Sequence, residues 1–431
     1  MLVSSVLPVQ INVSKKRYHT IKDLKAFHKH LERMNTMGKK LTDKVTWVGK
    51  VDWTLTTFHG EEYSTHKGSS YNSYLVRDKK TALIDTVWQP YDKEFAAHLK
   101  DEIDLKAIDY IVANHAEKDH SGALAELMRE IPEVPIYCTA NGVKSLKGHY
   151  HKDWNFQPVK TGDTLDLGDS KLVFIEAPML HWPDSMFTYM TGENILFSND
   201  AFGQHYASEL LYNDLVDQAE LYHEAIKYYG NILTPFSPLV IRKINEVLAL
   251  NVPVNMICPS HGVVWRDDPA QIVKQYLKWA DNYQENQITL IFDTMWESTR
   301  KMAEAIAAGI QNIDPSVTIK IFNSSKDDKN DIITEVFKSK AILVGSPTIN
   351  NGYLYSVGGL LEMIRGLKFK NKKASSFGSY GWSGEAIKQI SAHLNDAGFS
   401  LANDGFRTLW VPDKEAEQKC ILFGEDFAKS I

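Results

Sequence analysis

His115-Ala-Glu117-Lys-Asp119-His120 is the stretch of the sequence that decides the fold. It follows an apolar run, residues 108–113, that has the composition of a buried β-strand. A loop that leaves such a strand can turn all four metal-binding side chains into one cavity. Imidazole and carboxylate ligands without a thiolate favour iron or manganese over structural zinc. The stretch therefore predicts a metal site that is open to chemistry, although charged residues in a loop are often only solvated.

Three more residues of the same kind end strand-like segments later in the chain. They are His181, Asp200 and His261, and each follows an apolar run. One such residue alone would be an ordinary loop residue. With the first stretch they make seven candidate ligands, too many for one tetrahedral ion and suited to two metals that share a bridging ligand. We therefore expect four strand ends to meet at one edge of the fold.

The second half of the chain carries a different signature, which is a strand, a hydroxyl-rich turn and a helix. The apolar residues 287–292 lead into Thr294, Ser298 and Thr299, and helical periodicity begins at Arg300. Backbone N–H groups and a helix N-terminus attract a phosphate, and hydroxyl groups donate to its oxygens. The turn has no Gly-x-Gly-x-x-Gly and no P-loop lysine, which disfavours dinucleotide and P-loop sites. A helix N-cap by Ser298 is the ordinary alternative.

Two later strand-like runs, 341–348 and 373–378, also end in turns of small and aromatic residues. In a doubly wound sheet, ligands bind beyond the carboxyl ends of the strands. The three turns resemble the flavin-binding loops of flavodoxins, and this resemblance implies FMN. The residues expected to contact it are Thr294, Met295, Trp296, Glu297, Ser298, Thr299, Ser346, Pro347, Thr348, Asn350, Asn351, Gly352, Ser379, Tyr380, Gly381, Trp382, Ser383 and Gly384.

The metal-binding stretch resembles the His-x-His-x-Asp-His motif of the metallo-β-lactamase superfamily, with one difference. Glu117 stands where that motif has its second histidine. The form His-x-Glu-x-Asp-His is similar to that of the flavodiiron proteins, or A-type flavoproteins, the redox branch of the superfamily. Further similarity at residues 58–60, 68–75 and 202–205 extends the resemblance from Val45 to the C-terminus. Within the family, the chain resembles the diiron and flavin core of the flavorubredoxins.

The resemblance implies a metallo-β-lactamase-like αββα sandwich followed by a flavodoxin-like, doubly wound parallel sheet. It also implies a ligand set for two irons. One iron would bind His115, Glu117 and His181, the other would bind Asp119, His120 and His261, and Asp200 would bridge them. His120 is the least secure ligand, because its position does not always bind metal in the family. Asp184 and Asn199 are the sequence neighbours expected to accept hydrogen bonds from ligand histidines.

The implied activity is reduction of O2 to water at the diiron site, with electrons relayed through FMN. Two ferrous ions and a reduced flavin together hold the four electrons that this reaction needs. The alternative is reduction of NO to N2O at the same site. A zinc hydrolase is less consistent with the sequence, because Glu117 adds negative charge that stabilises oxidised metal. A flavodoxin-like electron carrier is less consistent because the ligand set is complete.

The resemblance favours O2 over NO, because the NO-specialised flavorubredoxins carry a fused rubredoxin module. The three cysteines of this chain include no C-x-x-C pair of such a module. The electron donor is then expected to be a separate rubredoxin-like or other small redox protein. The family resemblance also implies a head-to-tail homodimer, or a dimer of dimers, that brings the flavin and the diiron site together.

Composition excludes several other classes of protein. A net charge of −6 gives no basic surface for nucleic acid, and the chain has no apolar run of about 18 residues that would cross a membrane. We expect a cytoplasmic protein with a basic N-terminal extension over residues 1–44, a diiron domain over 45–284 and an FMN domain over 285–431. A polar linker is expected at 280–286. The extension is poor in acidic residues but lacks the arginine and serine enrichment of a transit peptide.

Overall fold

The computed structural model describes residues 38–431, so most of the basic extension lies outside the described residues. The N-terminal half of the described chain folds into β-sheets covered by helices. Its strands are β1 (Lys39–Lys40), β2 (Val45–Trp47), β3 (Lys50–Asp52), β4 (Thr57–Phe58), β5 (Tyr63–Ser64), β6 (Ser69–Tyr71), β7 (Tyr74–Arg77), β8 (Thr81–Ile84), β9 (Tyr110–Val112), β10 (Ile136–Thr139), β11 (Phe156–Val159), β12 (Thr164–Asp166), β13 (Lys171–Glu176), β14 (Met186–Met190), β15 (Ile195–Asn199) and β16 (Met256–Pro259). Its α-helices are α1 (Asp92–Glu102), α2 (Lys118–Ser121), α3 (Leu124–Glu130), α4 (Ala140–Tyr150), α5 (Gln218–Tyr228), α6 (Ser237–Ala249) and α7 (Ala270–Ala280).

A seven-stranded sheet and a five-stranded sheet stack face to face. The first has the order β1-β2-β7-β8-β9-β10-β11, and the second has the order β12-β13-β14-β15-β16. Side chains alternate along the strands, as in β7, where Tyr74 and Val76 pack between the sheets and Leu75 packs under the helices of the first sheet. Helices α5 to α7 cover the outer face of the second sheet. The αββα sandwich that the sequence predicts is confirmed.

The C-terminal half is built on a parallel sheet with helices on both faces. Its strands are β17 (Glu285–Phe292), β18 (Thr318–Asn323), β19 (Ser339–Gly345), β20 (Lys373–Tyr380), β21 (Ser400–Leu401) and β22 (Phe406–Leu409). Its α-helices are α8 (Ser298–Ile313), α9 (Lys329–Lys338), α10 (Tyr355–Leu367), α11 (Ala386–Asp396) and α12 (Lys414–Lys429). The strand order is β18-β17-β19-β20-β21, and β22 also pairs with β20. This order puts the switch point beyond β17 and β19, and the flavodoxin-like sheet predicted from the sequence is confirmed.

The first sheet begins earlier in the chain than the sequence analysis expects. Lys39 and Lys40, which were assigned to the extension, form the edge strand β1 and pair antiparallel with Trp47 and Thr46. Lysine is a common residue on edge strands because its charge remains in solvent, so this strand looks like a basic tail in the sequence. At the junction of the two halves, strand β17 already starts at Glu285, inside the segment that the sequence analysis treats as linker. No helix in residues 38–431 is long and apolar enough to cross a membrane.

Backbone hydrogen bonds bring the strand ends with the candidate ligands together. Met186 N donates to Asn114 O at 2.9 Å, which joins the start of β14 to the loop after β9. Ser260 N donates to Asn199 O at 2.8 Å, which joins the end of β16 to the end of β15. Asn114, Asn199 and Ser260 each directly precede a candidate ligand. The fold therefore places these ligands through main-chain hydrogen bonds of the residues directly before them.

Helix α8, which follows the candidate phosphate-binding turn, is held in place by close packing against α12. A Cβ atom added at Gly309 of α8 would lie 2.0 Å from Ile421 O of α12. A Cβ atom added at Gly424 of α12 would lie 2.1 Å from Ile306 O of α8. Glycine at both positions lets the two backbones touch. The position of the turn therefore depends on this contact.

Gly309→Ala is expected to destabilise the C-terminal half by about 1–3 kcal/mol, because overpacking forces the two helices apart. The measurement is urea unfolding of the purified chain followed by flavin fluorescence. Gly366→Ala in α10 is the matched control, since a Cβ atom there would meet open space. Equal stability of the Gly309 variant and the control would contradict the close contact.

Candidate functional site

The seven candidate ligands converge at one edge of the sandwich and form two groups. The first group contains His115, Glu117, His181 and Asp200, and the second contains Asp119, His120 and His261. Five of the seven are almost fully buried, and Glu117 and His181 are the two that retain some contact with solvent. The structure thus brings together every residue that the sequence analysis proposes as a metal ligand.

Asp200 lies between the two groups and turns one carboxylate oxygen toward each. Its Oδ1 atom lies 2.9 Å from His120 Nε2 and 3.6 Å from His261 Nε2. Its Oδ2 atom lies 3.6 Å from His115 Nε2 and 3.4 Å from His181 Nε2. This is the geometry of a carboxylate placed to bridge two cations.

Several atoms of the cluster lie close together without forming hydrogen bonds. Within residues 38–431, both carboxylate oxygens of Asp119 and of Asp200 and both ring nitrogens of His120 are buried and have no hydrogen-bond partner. His120 Nε2 nevertheless lies only 3.0 Å from Asp119 Oδ2. Polar atoms that approach so closely without hydrogen-bond geometry point to a common centre. Unpaired buried charges cost on the order of several kcal/mol each, and the cluster therefore fits a pair of metal ions.

Two of the histidines are oriented by a contact on the ring nitrogen that faces away from the cluster. His115 Nδ1 lies 3.0 Å from Asp184 Oδ2, and His261 Nδ1 lies 2.7 Å from Ser70 O. Bonds of this kind fix the ring orientation and the tautomer of a metal-binding histidine. Asp184 therefore occupies the place that the sequence analysis expects of it.

His120 and Asn199 behave differently from these residues. The Nδ1 atom of His120 has no partner within residues 38–431, so no hydrogen bond outside the cluster fixes this ring, and its assignment as an iron ligand stays a prediction. The prediction for Asn199 was wrong, because its Nδ2 atom approaches Asp85 Oδ2 at 3.5 Å and contacts no histidine. Asn199 ends strand β15, and successive side chains at a strand end point to opposite sides. It therefore points away from the ligands.

The electrostatics of this cluster favour ionised carboxylates and raise the pKa of the His115 and His120 imidazoles above the usual value. Burial opposes protonation of His115, but its hydrogen bonds with Asp184 and Glu117 raise the pKa of this imidazole to about 10. Burial opposes ionisation of Glu117, but hydrogen bonds from His115 and His59 lower the pKa of this carboxyl to about 2. The surrounding histidines also outweigh burial at Asp200 and hold its pKa well below the usual value. Metal ions that bind here take the place of the histidine protons.

Aromatic side chains and one further histidine cover the cluster. The ring of Phe58 lies 5.8 Å from that of His261, and the ring of Trp182 lies 5.1 Å from that of His115. His59 Nε2 lies 2.8 Å from Glu117 Oε1. Sequence reasoning gave His59 no role, since the only signal was a histidine before a glycine in a short turn. Its contact with Glu117 is visible only in the folded chain.

The turn before α8 has the features of an anion-binding site. Thr294 Oγ1 and Thr299 Oγ1 are buried and have no hydrogen-bond partner within residues 38–431. Glu297, with a left-handed φ of 64°, stands at the N-cap position, and Ser298 is the first residue of the helix. The alternative in which Ser298 is an ordinary N-cap is therefore wrong. Two orphaned hydroxyl groups at a helix N-terminus fit a phosphate.

The loop after β19 differs in part from the sequence prediction. The Ser346 hydroxyl donates to Pro347 O at 2.9 Å and accepts from Leu354 N at 3.0 Å. It holds its own loop together, and its side chain does not present a free hydroxyl to a ligand. Asn350 and Asn351 have left-handed φ angles of 50° and 57° and form a tight turn. The contacts proposed for the other residues of these loops stay predictions.

Exposed aromatic residues lie on the flavin-binding loops. Trp296 and Trp382 are 83% and 86% exposed. Tyr355, which the sequence analysis did not identify, is the first residue of α10 and is 88% exposed. The guanidinium of Arg407, also not identified, lies 5.4 Å from the centre of the Tyr380 ring. Arg407 is distant in sequence from the loop that it accompanies, whereas Tyr355 lies three residues after Gly352.

Comparisons with known proteins assign the two halves separately. A family model described as ODP family beta lactamase matches residues 70–262, and the flavodoxin model matches residues 290–424. The anaerobic nitric oxide reductase flavorubredoxin of Salmonella typhi is 57% identical over 395 residues, which cover 91% of this chain and 82% of that protein. The flavorubredoxin of Aliivibrio salmonicida is 58% identical over 391 residues, which cover 90% of this chain and 78% of that protein.

Two solved structures are similar over both halves together. Rubredoxin oxygen:oxidoreductase from Desulfovibrio gigas superposes with a TM-score of 0.88 at 36% identity and covers 91% of this chain and 98% of its own. The flavodiiron protein from Giardia intestinalis superposes with a TM-score of 0.87 at 33% identity and covers 91% of this chain and 96% of its own. The chain therefore belongs to the flavodiiron protein family and is an oxidoreductase. The prediction of FMN and a pair of irons as cofactors is confirmed by this membership and by the ligand cluster.

Asp200→Asn keeps the shape of the side chain and removes its charge. We expect iron affinity to fall by more than about 100-fold, because a change in a residue that only orients a ligand already costs about 10- to 100-fold. FMN content should not change. Iron is measured by elemental analysis and FMN by absorbance, with the exposed Asp153→Asn as the control. An Asp200→Asn variant that retains two irons per chain would show that this carboxylate does not bridge metals.

Thr294→Val and Thr299→Val together remove the two orphaned hydroxyl groups while preserving side-chain shape. Each hydrogen bond to a charged acceptor contributes about 1.5–3 kcal/mol, so FMN affinity should fall by about 100-fold or more. Riboflavin has no phosphate, and its affinity should barely change. Both affinities are measured by flavin fluorescence, with the exposed Thr318→Val as the control. Equal losses for both flavins would rule out a phosphate at this turn.

Proposed function

We propose that this flavodiiron protein reduces nitric oxide to nitrous oxide at the cluster around Asp200, with electrons that arrive through FMN. The observation that carries the proposal is the position of Asp200, whose two oxygens face two separate ligand groups. Joining two NO molecules requires two metal positions side by side. The preference for NO is supported by the similar proteins that are named anaerobic nitric oxide reductases.

The seven candidate ligands would hold two irons, and the threonine turn before α8 would hold the phosphate of FMN. When bound, the irons and the flavin supply electrons and two adjacent coordination positions, so that two NO, two electrons and two protons give N2O and water. The protein supplies orientation and electrostatics. Asp184 orients His115, His59 holds one oxygen of Glu117, and Phe58 packs beside the cluster and keeps bulk water away.

Reduction of O2 to water is the second candidate function. It is favoured by the lack of a rubredoxin-type C-x-x-C pair among the three cysteines and by the similarity to rubredoxin oxygen:oxidoreductase. The higher identity to the proteins named for NO outweighs that argument. A zinc hydrolase is the least consistent alternative, since Glu117 adds a further negative charge to the ligand set.

The electron donor would be a small redox protein that docks where the flavin ring is accessible. Three exposed aromatic residues lie on or beside the flavin-binding loops, namely Trp296, Trp382 and Tyr355. They support a docking surface there, because large aromatic side chains in solvent are characteristic of contact surfaces. A head-to-tail dimer, in which the flavin of one subunit faces the diiron site of the other, would use part of the same surface. In both arrangements electrons enter through the C-terminal half of a chain.

The substrate is tested with the iron- and FMN-loaded protein and a chemically reduced rubredoxin as donor. We expect kcat/KM for NO to exceed that for O2 by about tenfold or more, which is about 1.4 kcal/mol of preferential transition-state stabilisation. NO and O2 consumption are followed with electrodes, and N2O is identified by mass spectrometry. Faster turnover of O2 than of NO would instead establish the second candidate.

Two controls distinguish the remaining alternatives. Asp200→Asn should abolish both activities while flavin reduction by the donor continues. Colourless protein with zinc as its only metal, and no turnover of either gas, would favour a hydrolase and would contradict the proposed function.

A further inference from the structure

A short hairpin over residues 57–64, here called the clamp hairpin, touches both halves of the protein. Strands β4 and β5 pair antiparallel, with Thr57 opposite Ser64 and Phe58 opposite Tyr63. The turn between them begins with a left-handed residue, His59, at a φ of 54°. The two strands are short, so contacts outside the hairpin have to fix its position.

One side of the clamp hairpin lies against both groups of candidate ligands. His59 Nε2 lies 2.8 Å from Glu117 Oε1. The other oxygen, Glu117 Oε2, faces the cluster, 3.3 Å from His115 Nε2 and 3.6 Å from His181 Nε2. The neighbouring Phe58 ring packs 5.8 Å from the ring of His261 in the second group. The hairpin therefore sets which oxygen of Glu117 is presented to a metal.

The other side of the clamp hairpin is held by the C-terminal half. Asn330 Oδ1 accepts from Ser64 N at 2.9 Å, and Asn330 Nδ2 donates to Glu62 O at 3.1 Å. Asp328 Oδ1 accepts from the Ser64 hydroxyl at 2.7 Å. Asp328 is the N-cap of α9, so these bonds come from the first turn of one helix. Asn330 is 2% exposed, and its bonds with the hairpin are shielded from water.

A buried lysine strengthens the same junction. Lys227 has no exposed surface, and its Nζ atom donates to the Ser64 hydroxyl at 3.0 Å and to Asp331 Oδ1 at 2.6 Å. A buried ammonium group is stable only when it is paired and hydrogen bonded. Helices α5 and α9 therefore both hold Ser64, and the hairpin cannot shift without breaking several buried polar bonds.

We propose that Asn330 is a positioning residue for the metal centre and that it acts through the clamp hairpin and His59 on Glu117. This inference rests on the proposed function, because it takes Glu117 as an iron ligand. His59 occupies one oxygen of Glu117 and leaves the other for iron. Without the contact from His59, the Glu117 carboxylate is free to rotate and to present both oxygens to iron. The second oxygen would then occupy the coordination position where the gas binds.

The proposal assigns the C-terminal half a second role beside flavin binding. The first turn of α9 lies about 30 residues after the FMN-phosphate turn in the sequence, yet it shapes a ligand of the first group. The protein would thus keep an open metal position only when the two halves are docked together. A mutation in one half is expected to change the gas chemistry of the other without any change in FMN.

A double-mutant cycle between Asn330→Ala and His59→Ala tests this path in the iron- and FMN-loaded protein. Each single variant is expected to lower kcat for NO by about tenfold, at the lower end of effects for residues that orient a ligand. In the His59→Ala background, Asn330→Ala should lower kcat by less than about twofold, because residues on one path are not additive. The Mössbauer doublet of one iron should shift in the same way in both single variants.

Thr334→Ala is the matched control for a general effect of the interface. Thr334 lies one turn further along α9, where its hydroxyl donates to the main-chain Asn330 O at 2.7 Å and accepts from Asn231 Nδ2 at 3.1 Å. It contacts neither the hairpin nor the Asn330 side chain. Its kcat and its Mössbauer spectrum should equal those of the unchanged protein. Effects of Asn330→Ala and His59→Ala that multiply fully, or an Asn330→Ala spectrum with two unshifted doublets, would overturn the proposal.

Ser64→Ala provides a second approach from the hairpin side if Asn330→Ala does not fold. It removes only the hydroxyl that Asp328 and Lys227 contact. It should show the same lack of additivity with His59→Ala, and full additivity overturns the proposal here too. Failure of the proposed function is seen separately, in the unchanged protein, as absent iron or absent turnover of both gases.

Discussion

The rest of this structure depends on one constraint, which is the burial of two carboxylates without hydrogen-bond partners in the described residues. Asp119 and Asp200 are almost fully removed from water, and their four oxygens have no hydrogen-bond partner in the described part of the chain. Ionised carboxylates in such a place are tolerable only beside compensating charge. The raised pKa values of His115 and His120 favour protons that supply this charge, and bound metal ions would supply it in their place. The αββα sandwich provides this burial because the ligands stand where its two sheets meet.

The same sandwich explains why ligands so distant in sequence meet. Each ligand follows a strand end, and main-chain bonds such as that from Ser260 N to Asn199 O tie neighbouring strand ends together. Asp85 adds a second level of support, since its carboxylate accepts from the backbone and the side chain of Asn114, next to His115. The C-terminal sheet follows the same rule at its own strand ends, where the loops beyond β17, β19 and β20 would contact the flavin.

The sequence indicates a candidate residue where its type and its place at a strand end carry the signal, and it gives no signal for a contact made across the fold. The seven candidate ligands, Thr294 and Thr299 could be identified because each combines a characteristic side chain with a local strand–turn pattern. Ser346 has the same pattern, but its hydroxyl is consumed by Leu354, eight residues later. His59 contacts Glu117, which lies 58 positions later in the chain, and Asn330 contacts Ser64, which lies 266 positions earlier. Contacts of this kind leave no local signal in the sequence. Strand β1 was missed because two lysines do not form an apolar pattern.

A metal-ligand motif alone does not determine which gas the site reduces. The ligands fix the number of metals and their bridge, and a similar set would serve the reduction of O2 or of NO. Under the proposed function, contacts such as His59 with Glu117 and Phe58 with His261 would shape the open metal positions at which either gas binds. Those contacts depend on the clamp hairpin, and the hairpin depends on the C-terminal half through Ser64. The metal motif therefore indicates the family, whereas the proposal places the shaping of the open metal positions on residues that the motif does not contain.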